Sequence, residues 1–158
     1  MMTQTPVILE LPGRAPMELT DLVLDFTGTL SLDGTVLPGV AERLAEIAKH
    51  LRITVLTADT FGKANDALQG MPVQTWVLKT GEDKARYVAR LGAERVIAIG
   101  NGRNDVAMLT IAAIGIAVIG PEGAAGELVR VADAVVRDIR DALDLVMNPL
   151  RLKATLRD

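Results

Sequence analysis

Asp21-Leu22-Val23-Leu24-Asp25-Phe26-Thr27-Gly28-Thr29-Leu30 is the stretch whose reading decides the fold. It opens as a run of Leu and Val, the pattern of a strand buried on both faces of a parallel sheet. A carboxylate, Asp25, then stands where the strand ends, and the chain breaks into Thr-Gly-Thr. A charge at the end of an apolar strand is costly to desolvate unless something there uses it. In open α/β sheets, ligands bind beyond the carboxyl ends of the strands. Asp before Thr-Gly is also ordinary turn chemistry. On this stretch alone the two readings, ligand-binding carboxylate and turn cap, stand level.

Working outward, strands and helices alternate. Residues 7–11, followed by Pro12-Gly13, read as a short strand whose flanking prolines suit an edge position. After the 22–26 strand, residues 31–39 are polar and Gly-rich. There Asp33-Gly34 between Leu32 and Val36 signals a hairpin, a small flap beside Asp25. Pro38 starts a helix to about residue 50, with Val40, Leu44, Ile47 and Leu51 on one face. Strands follow at 53–57, 73–78, 96–99, 114–118 and 134–136. Helices are expected at 61–68, 81–91, 104–110, 123–131 and 139–147, and 149–158 reads as a mildly basic tail. In the 81–91 helix, Thr80 is the N-cap and Asp83 takes the capping-box position. Such alternation predicts right-handed βαβ units, hence an α/β fold with a doubly wound, mostly parallel sheet and helices on both faces. No linker or internal repeat interrupts residues 1–158, so a single domain is expected.

Composition narrows the function classes. The 158 residues suit one full hydrophobic core, and 49% are apolar but only 3% aromatic. Such a core is built from Val, Ile, Leu and Ala, the palette of a helix-covered parallel sheet. Net charge is −3, and no basic cluster interleaves with aromatics. Nucleic-acid binding is disfavoured. The absence of cysteine excludes disulfides, thiolate metal sites and a cysteine nucleophile. The start, Met1-Met2-Thr3-Gln4-Thr5, lacks the basic and apolar regions of a signal peptide, and the apolar run 111–120 is half a membrane span. A cytoplasmic protein with no membrane partner is expected.

Polar residues recur at successive strand ends: Asp25, Thr57, then Asn101 and Asp105. In this fold those ends converge on one edge of the sheet. Lys84 adds an independent signal. It lies three and four residues before Tyr87 and Val88 on the inward helix face, and in the first turn, where the helix dipole disfavours a cation. Lys79, at the strand end itself, competes with it. Thr57 alone reads as a cap, His50 as a surface cation at a helix end, and Trp76 as a packing residue. Neither a dinucleotide fingerprint nor a Walker sequence is present.

Taken together, these residues resemble the haloacid dehalogenase superfamily. Asp25-Phe26-Thr27-Gly28-Thr29-Leu30 resembles its nucleophile motif, in the Asp-Lys-Thr-Gly-Thr form of P-type ATPases. Leu56-Thr57-Ala58-Asp59 is similar to the second motif, Lys84 to the third, and Gly100-Asn101-Gly102-Arg103-Asn104-Asp105 to the fourth. Order and spacing match over about residues 20–140. The nearest group is the small soluble proteins that resemble the phosphorylation domain of P-type ATPases.

The resemblance implies a Mg2+-dependent phosphatase acting through an aspartyl phosphate on Asp25. It implies metal ligands at Asp25, the Thr27 carbonyl, Asn101 and Asp105. Phosphate would be held by Gly28, Thr57, Ala58 and Lys84, with catalysis resting on Asp25, Thr27, Thr57 and Lys84.

Two positions depart from the family pattern. Phosphatases of the superfamily usually carry a second aspartate, the general acid/base, where this chain has Thr27. Loss of such a group costs about 10²–10⁴-fold, so slow turnover is expected. Asn101 replaces the first aspartate of the fourth motif and removes one negative charge. The 26 residues between Thr57 and Lys84 (58–83) leave no room for a cap. Capless relatives often take a macromolecular substrate or oligomerise, so the substrate is a phosphorylated small molecule or a phosphoprotein, with a homo-oligomer as one arrangement. A second reading keeps the fold but makes the chain a catalytically weak or inactive phosphate- or partner-binding module. A response-regulator receiver is disfavoured, because its acidic metal pair precedes the acceptor Asp, whereas here Asp105 comes last.

Overall fold

The computed structural model describes residues 3–60 and 62–158. Six parallel strands form its centre: β3 (Asp21–Asp25), β6 (Arg52–Thr57), β7 (Gln74–Val77), β8 (Val96–Gly100), β9 (Ile114–Val118) and β10 (Ala134–Val136). Their order is β10-β9-β8-β3-β6-β7. From β3 the chain runs out to β6 and β7, then returns to the other side through β8, β9 and β10. The point where direction reverses lies between β3 and β8, which is where such sheets bind ligands.

Strand geometry sorts the side chains into two cores, because successive residues point to opposite faces. Leu22 and Leu24 pack with Ile53, Val55, Ile97 and Ile99 beneath α1 (Val40–Ile47) and α6 (Ile139–Met147). Val23 faces the other way, with Leu56 and Ala98, beneath α3 (Gly81–Leu91), α4 (Val106–Ile111) and α5 (Gly126–Val131). Asp25 shares the parity of Val23 and so leaves the sheet on the α3 side. The predicted α1 face is fully buried at Val40, Leu44 and Ile47, and Arg43 clamps the helix to α6 through Asp144 at 2.8 Å. The remaining helix of the first half is α2 (Lys63–Ala67); the Phe61 start expected for it lies outside the described residues.

Several expectations need correction. The first strand, β1 (Val7–Leu9), is not at the edge of the main sheet. It forms a separate antiparallel pair with β2 (Met17–Leu19), a strand the sequence reading missed. The 149–158 tail is a helix, α7 (Pro149–Leu156), with Pro149 in its first turn and Leu152 buried. The helix expected from residue 123 begins at Gly126, since Gly123 has φ 75°, outside the helical region. Trp76 does not pack: β7 is an edge strand, and the indole is 52% exposed. The flap forms as expected, a two-residue hairpin of β4 (Ser31–Leu32) and β5 (Thr35–Val36), with Asp33 (φ 51°) and Gly34 (φ 85°) at its turn. Among the described residues no helix is long and apolar enough to cross a membrane.

Candidate active site

Three elements deliver charge to one place. β3 ends on Asp25, the first turn of α3 supplies Lys84, and the turn after β8 supplies Asp105. Lys84 Nζ donates to Asp25 Oδ1 at 2.9 Å and to Asp105 Oδ1 at 2.8 Å. Lys84 and Asp105 are both 0% exposed, so an ammonium and a carboxylate have left water completely. A buried lysine is tolerated only when paired, and here one lysine serves two acids. Lys79, the rival, is exposed at the surface.

The local chain makes this meeting possible. Thr80 caps α3 by accepting the Asp83 N–H at 3.1 Å, which fixes where the helix starts and therefore where Lys84 points. Asp105 Oδ2 accepts the backbone N–H groups of Asn101 (3.2 Å) and Gly102 (3.0 Å), so its carboxylate is locked within its own turn. Gly100 is required there: a Cβ at that position would lie 2.4 Å from Asp105 Oδ2. Gly28 has φ 77°, and a Cβ on it would meet Asn101 Nδ2 at 2.5 Å. The nucleophile-like loop and the fourth-motif turn are in contact because Gly28 leaves room for the Asn101 side chain, while Gly100 leaves room for Asp105 within the turn.

Thr29 was not singled out from the sequence, yet it is 0% exposed and central. Its hydroxyl lies 3.2 Å from Asp25 Oδ2 and 3.1 Å from Asn101 Oδ1. Both partners are acceptors, and the hydroxyl has one proton. Asn101 cannot turn its amide to help, because Nδ2 already donates to the Gly123 carbonyl at 3.1 Å. With Asp25 ionised, one acceptor is therefore left without a donor. The signal in the sequence was the Thr-Gly-Thr break itself, which returns a small hydroxyl to Asp25 four residues on.

Electrostatics follow from burial. Desolvation, then the charge of Asp105, push the Asp25 carboxyl up to about 7, against the opposing pull of Lys84 and of the Lys84 and Thr29 hydrogen bonds. For Lys84, burial works against the charged form, but Asp25 and then Asp105 outweigh it and hold the ammonium above its ordinary value. The trio carries two potential negative charges against one positive.

A divalent cation fits this donor set. Among the described residues no group of three or more His, Cys, Asp or Glu converges. The donors brought together are thus Asp25 Oδ2, Asn101 Oδ1 and the remaining lone pair of Asp105 Oδ1, to which the family resemblance would add the Thr27 carbonyl. Oxygen-only donors with few carboxylates suit Mg2+, which retains several waters. With Asp25 ionised, the acceptor left over at Thr29 is one that a cation could satisfy. Thr57 is buried at the end of β6, its hydroxyl accepting the Asp59 N–H at 3.1 Å, while Ala58 and Thr27 are exposed at the rim.

Against this geometry the relatives can be placed. A family model of haloacid dehalogenase-like hydrolases matches residues 76–142. An uncharacterized protein of Methanocaldococcus jannaschii is 55% identical over 65 residues, 41% of this chain and 70% of that protein. The 3-deoxy-D-manno-octulosonate 8-phosphate phosphatase from Moraxella catarrhalis, in complex with magnesium ion, phosphate ion and KDO, is similar over 86% of this chain and 90% of its own, with TM-score 0.65 and 16% identity. That likeness is one of fold. The catalytic domain of the CPx-ATPase CopB-B aligns over 72% of this chain and 46% of its own, with TM-score 0.62 and 26% identity. The chain belongs to the haloacid dehalogenase-like hydrolases.

Proposed function

We propose that the chain is a Mg2+-dependent phosphohydrolase that works through an aspartyl phosphate on Asp25, and that its turnover is slow. The observation that carries this reading is the buried Lys84 bridging Asp25 and Asp105 at 2.9 and 2.8 Å. A structural core has no use for three ionisable groups in a dry volume, whereas a phosphoryl group needs a fixed carboxylate and a fixed cation. The magnesium and phosphate held by the Moraxella catarrhalis relative support the same direction.

Lys84 holds Asp25 Oδ1 and Thr29 holds Oδ2, so the carboxylate cannot rotate. In the first step an Asp25 oxygen bonds to phosphorus as the bond to the leaving oxygen breaks. The electron pair departs with the leaving group. In the second step water attacks the same phosphorus, the bond to Asp25 breaks, and the water proton passes to solvent. Thr57, the Ala58 backbone amide and Lys84 would meet the phosphoryl oxygens, whereas the Gly28 N–H, expected among them, donates to the Ser31 carbonyl at 3.0 Å. Mg2+, held by Asp25, the Thr27 carbonyl, Asn101 and Asp105, would neutralise charge as two anions approach. With Thr27 in place of an acid, the leaving oxygen receives no proton from the protein. Acyl and aryl phosphates should therefore react far faster than alkyl phosphates.

The test is hydrolysis of acetyl phosphate and p-nitrophenyl phosphate with and without Mg2+, comparing wild type with Asp25→Asn. Metal-dependent turnover in wild type and none in the variant supports the reading. Equal residual rates in both sink it. The absence of an acid at Thr27 favours one alternative, a module that binds phosphate or a partner without turning over. Beryllofluoride binding at Asp25 with no hydrolysis would establish it.

A further inference from the structure

Asn101 departs from the family pattern, and its surroundings are built for an amide. Its Oδ1 faces the Thr29 hydroxyl at 3.1 Å, on the Asp25 side, while its Nδ2 donates to the Gly123 carbonyl at 3.1 Å. Its main-chain carbonyl accepts the Ala125 N–H at 2.9 Å. The 120–125 loop is thus tied to Asn101 through both side chain and backbone. That loop also lies against the Asp25 loop: a Cβ on Gly120 would stand 3.3 Å from the Gly28 carbonyl oxygen. An aspartate at 101 has acceptors only. It could hold a cation on one oxygen, but its other oxygen would oppose the Gly123 carbonyl.

We propose that Asn101 is a positioning residue that couples a cation bound beside Asp25 to the ordering of the 120–125 loop. The amide has two unlike ends on a rigid plane. Positive charge on Oδ1 fixes the plane and draws electron density from nitrogen, which makes Nδ2–H a better donor to Gly123. Occupancy of the site is in this way transmitted to a loop at its mouth. The inference rests on the Mg2+ part of the reading above, though not on turnover.

Hydrogen exchange of the Gly123 and Ala124 amides in the full chain, in EDTA and in MgCl2, tests it, with the melting temperature reporting Mg2+ binding separately. In wild type, Mg2+ should slow both amides at least about fivefold, the low end of ordinary coupling between sites. In Asn101→Asp, Mg2+ should still raise the melting temperature but leave the loop unslowed. Amides in α6 should not respond in either protein. The same slowing in Asn101→Asp overturns the proposal, as does Mg2+ binding to wild type without slowing, or no Mg2+ binding at all. Should the variant fail to fold, the wild-type comparison still decides. Loop slowing without phosphate hydrolysis would leave this coupling intact and remove only the phosphatase reading.

Discussion

Two carboxylates and one ammonium group share the buried end of β3, and their charges do not cancel. Burial and Asp105 hold the Asp25 carboxyl near 7, whereas in the unfolded chain it titrates near its ordinary value. Between about pH 4 and 7 the native state therefore keeps a proton that the unfolded state has lost. Stability from this group falls as pH rises through that window and levels off above it. Metal-free thermal melts should show the slope in wild type and not in Asp25→Asn, which should melt higher at pH 7.5; a variant that melts lower would contradict the charge assignment. Thr27 offers the complementary experiment. It is exposed, so Thr27→Asp should fold normally and supply the missing acid. Hydrolysis of alkyl phosphates should then rise by roughly 10²-fold, with a smaller gain for acetyl phosphate; steady-state rates on both substrates check this. At this scale the sequence was informative where a residue broke its surroundings: a carboxylate closing an apolar strand, a lysine on an inward helix face. Thr29 broke nothing locally, and only coordinates reveal that it stands between Asp25 and Asn101.

Elements were legible where their apolar period was long enough. α1 and the buried strands β3, β6, β8 and β9 carry unbroken patterns. β2 is three residues, Met17–Leu19, too short for alternation to be read, and it exists because β1 pairs with it. The exposure of Trp76 could not be foreseen, because strand order, which sequence does not encode locally, makes β7 an edge. α7 did leave a signal, Pro149 at a helix start with Leu152 and Leu156 one turn apart, and it packs on β1 and α6. Leu152 is buried, so Leu152→Ala should cost about 2–4 kcal/mol in urea unfolding. Since α7 lies away from Asp25, the folded variant should keep its kcat. An unchanged unfolding midpoint would show that α7 does not belong to the core.

At the scale of the whole molecule, βαβ alternation predicts a parallel sheet but not the β10-β9-β8-β3-β6-β7 order that puts β3 beside β8. That adjacency is what brings residues 25, 84 and 105 together from separate parts of the chain. It also brings the glycine-lined loops at 28, 100 and 120 close together, so a charged site forms at an edge that no cap covers among the described residues. The central claim is covalent: Asp25 takes a phosphoryl group. Brief exposure to acetyl phosphate and Mg2+, acid quenching, and peptide mass analysis test it most directly. The account predicts one added phosphoryl group on the peptide carrying Asp25, lost in Asp25→Asn and without Mg2+. Phosphorylation elsewhere, or the same adduct in Asp25→Asn, would contradict it.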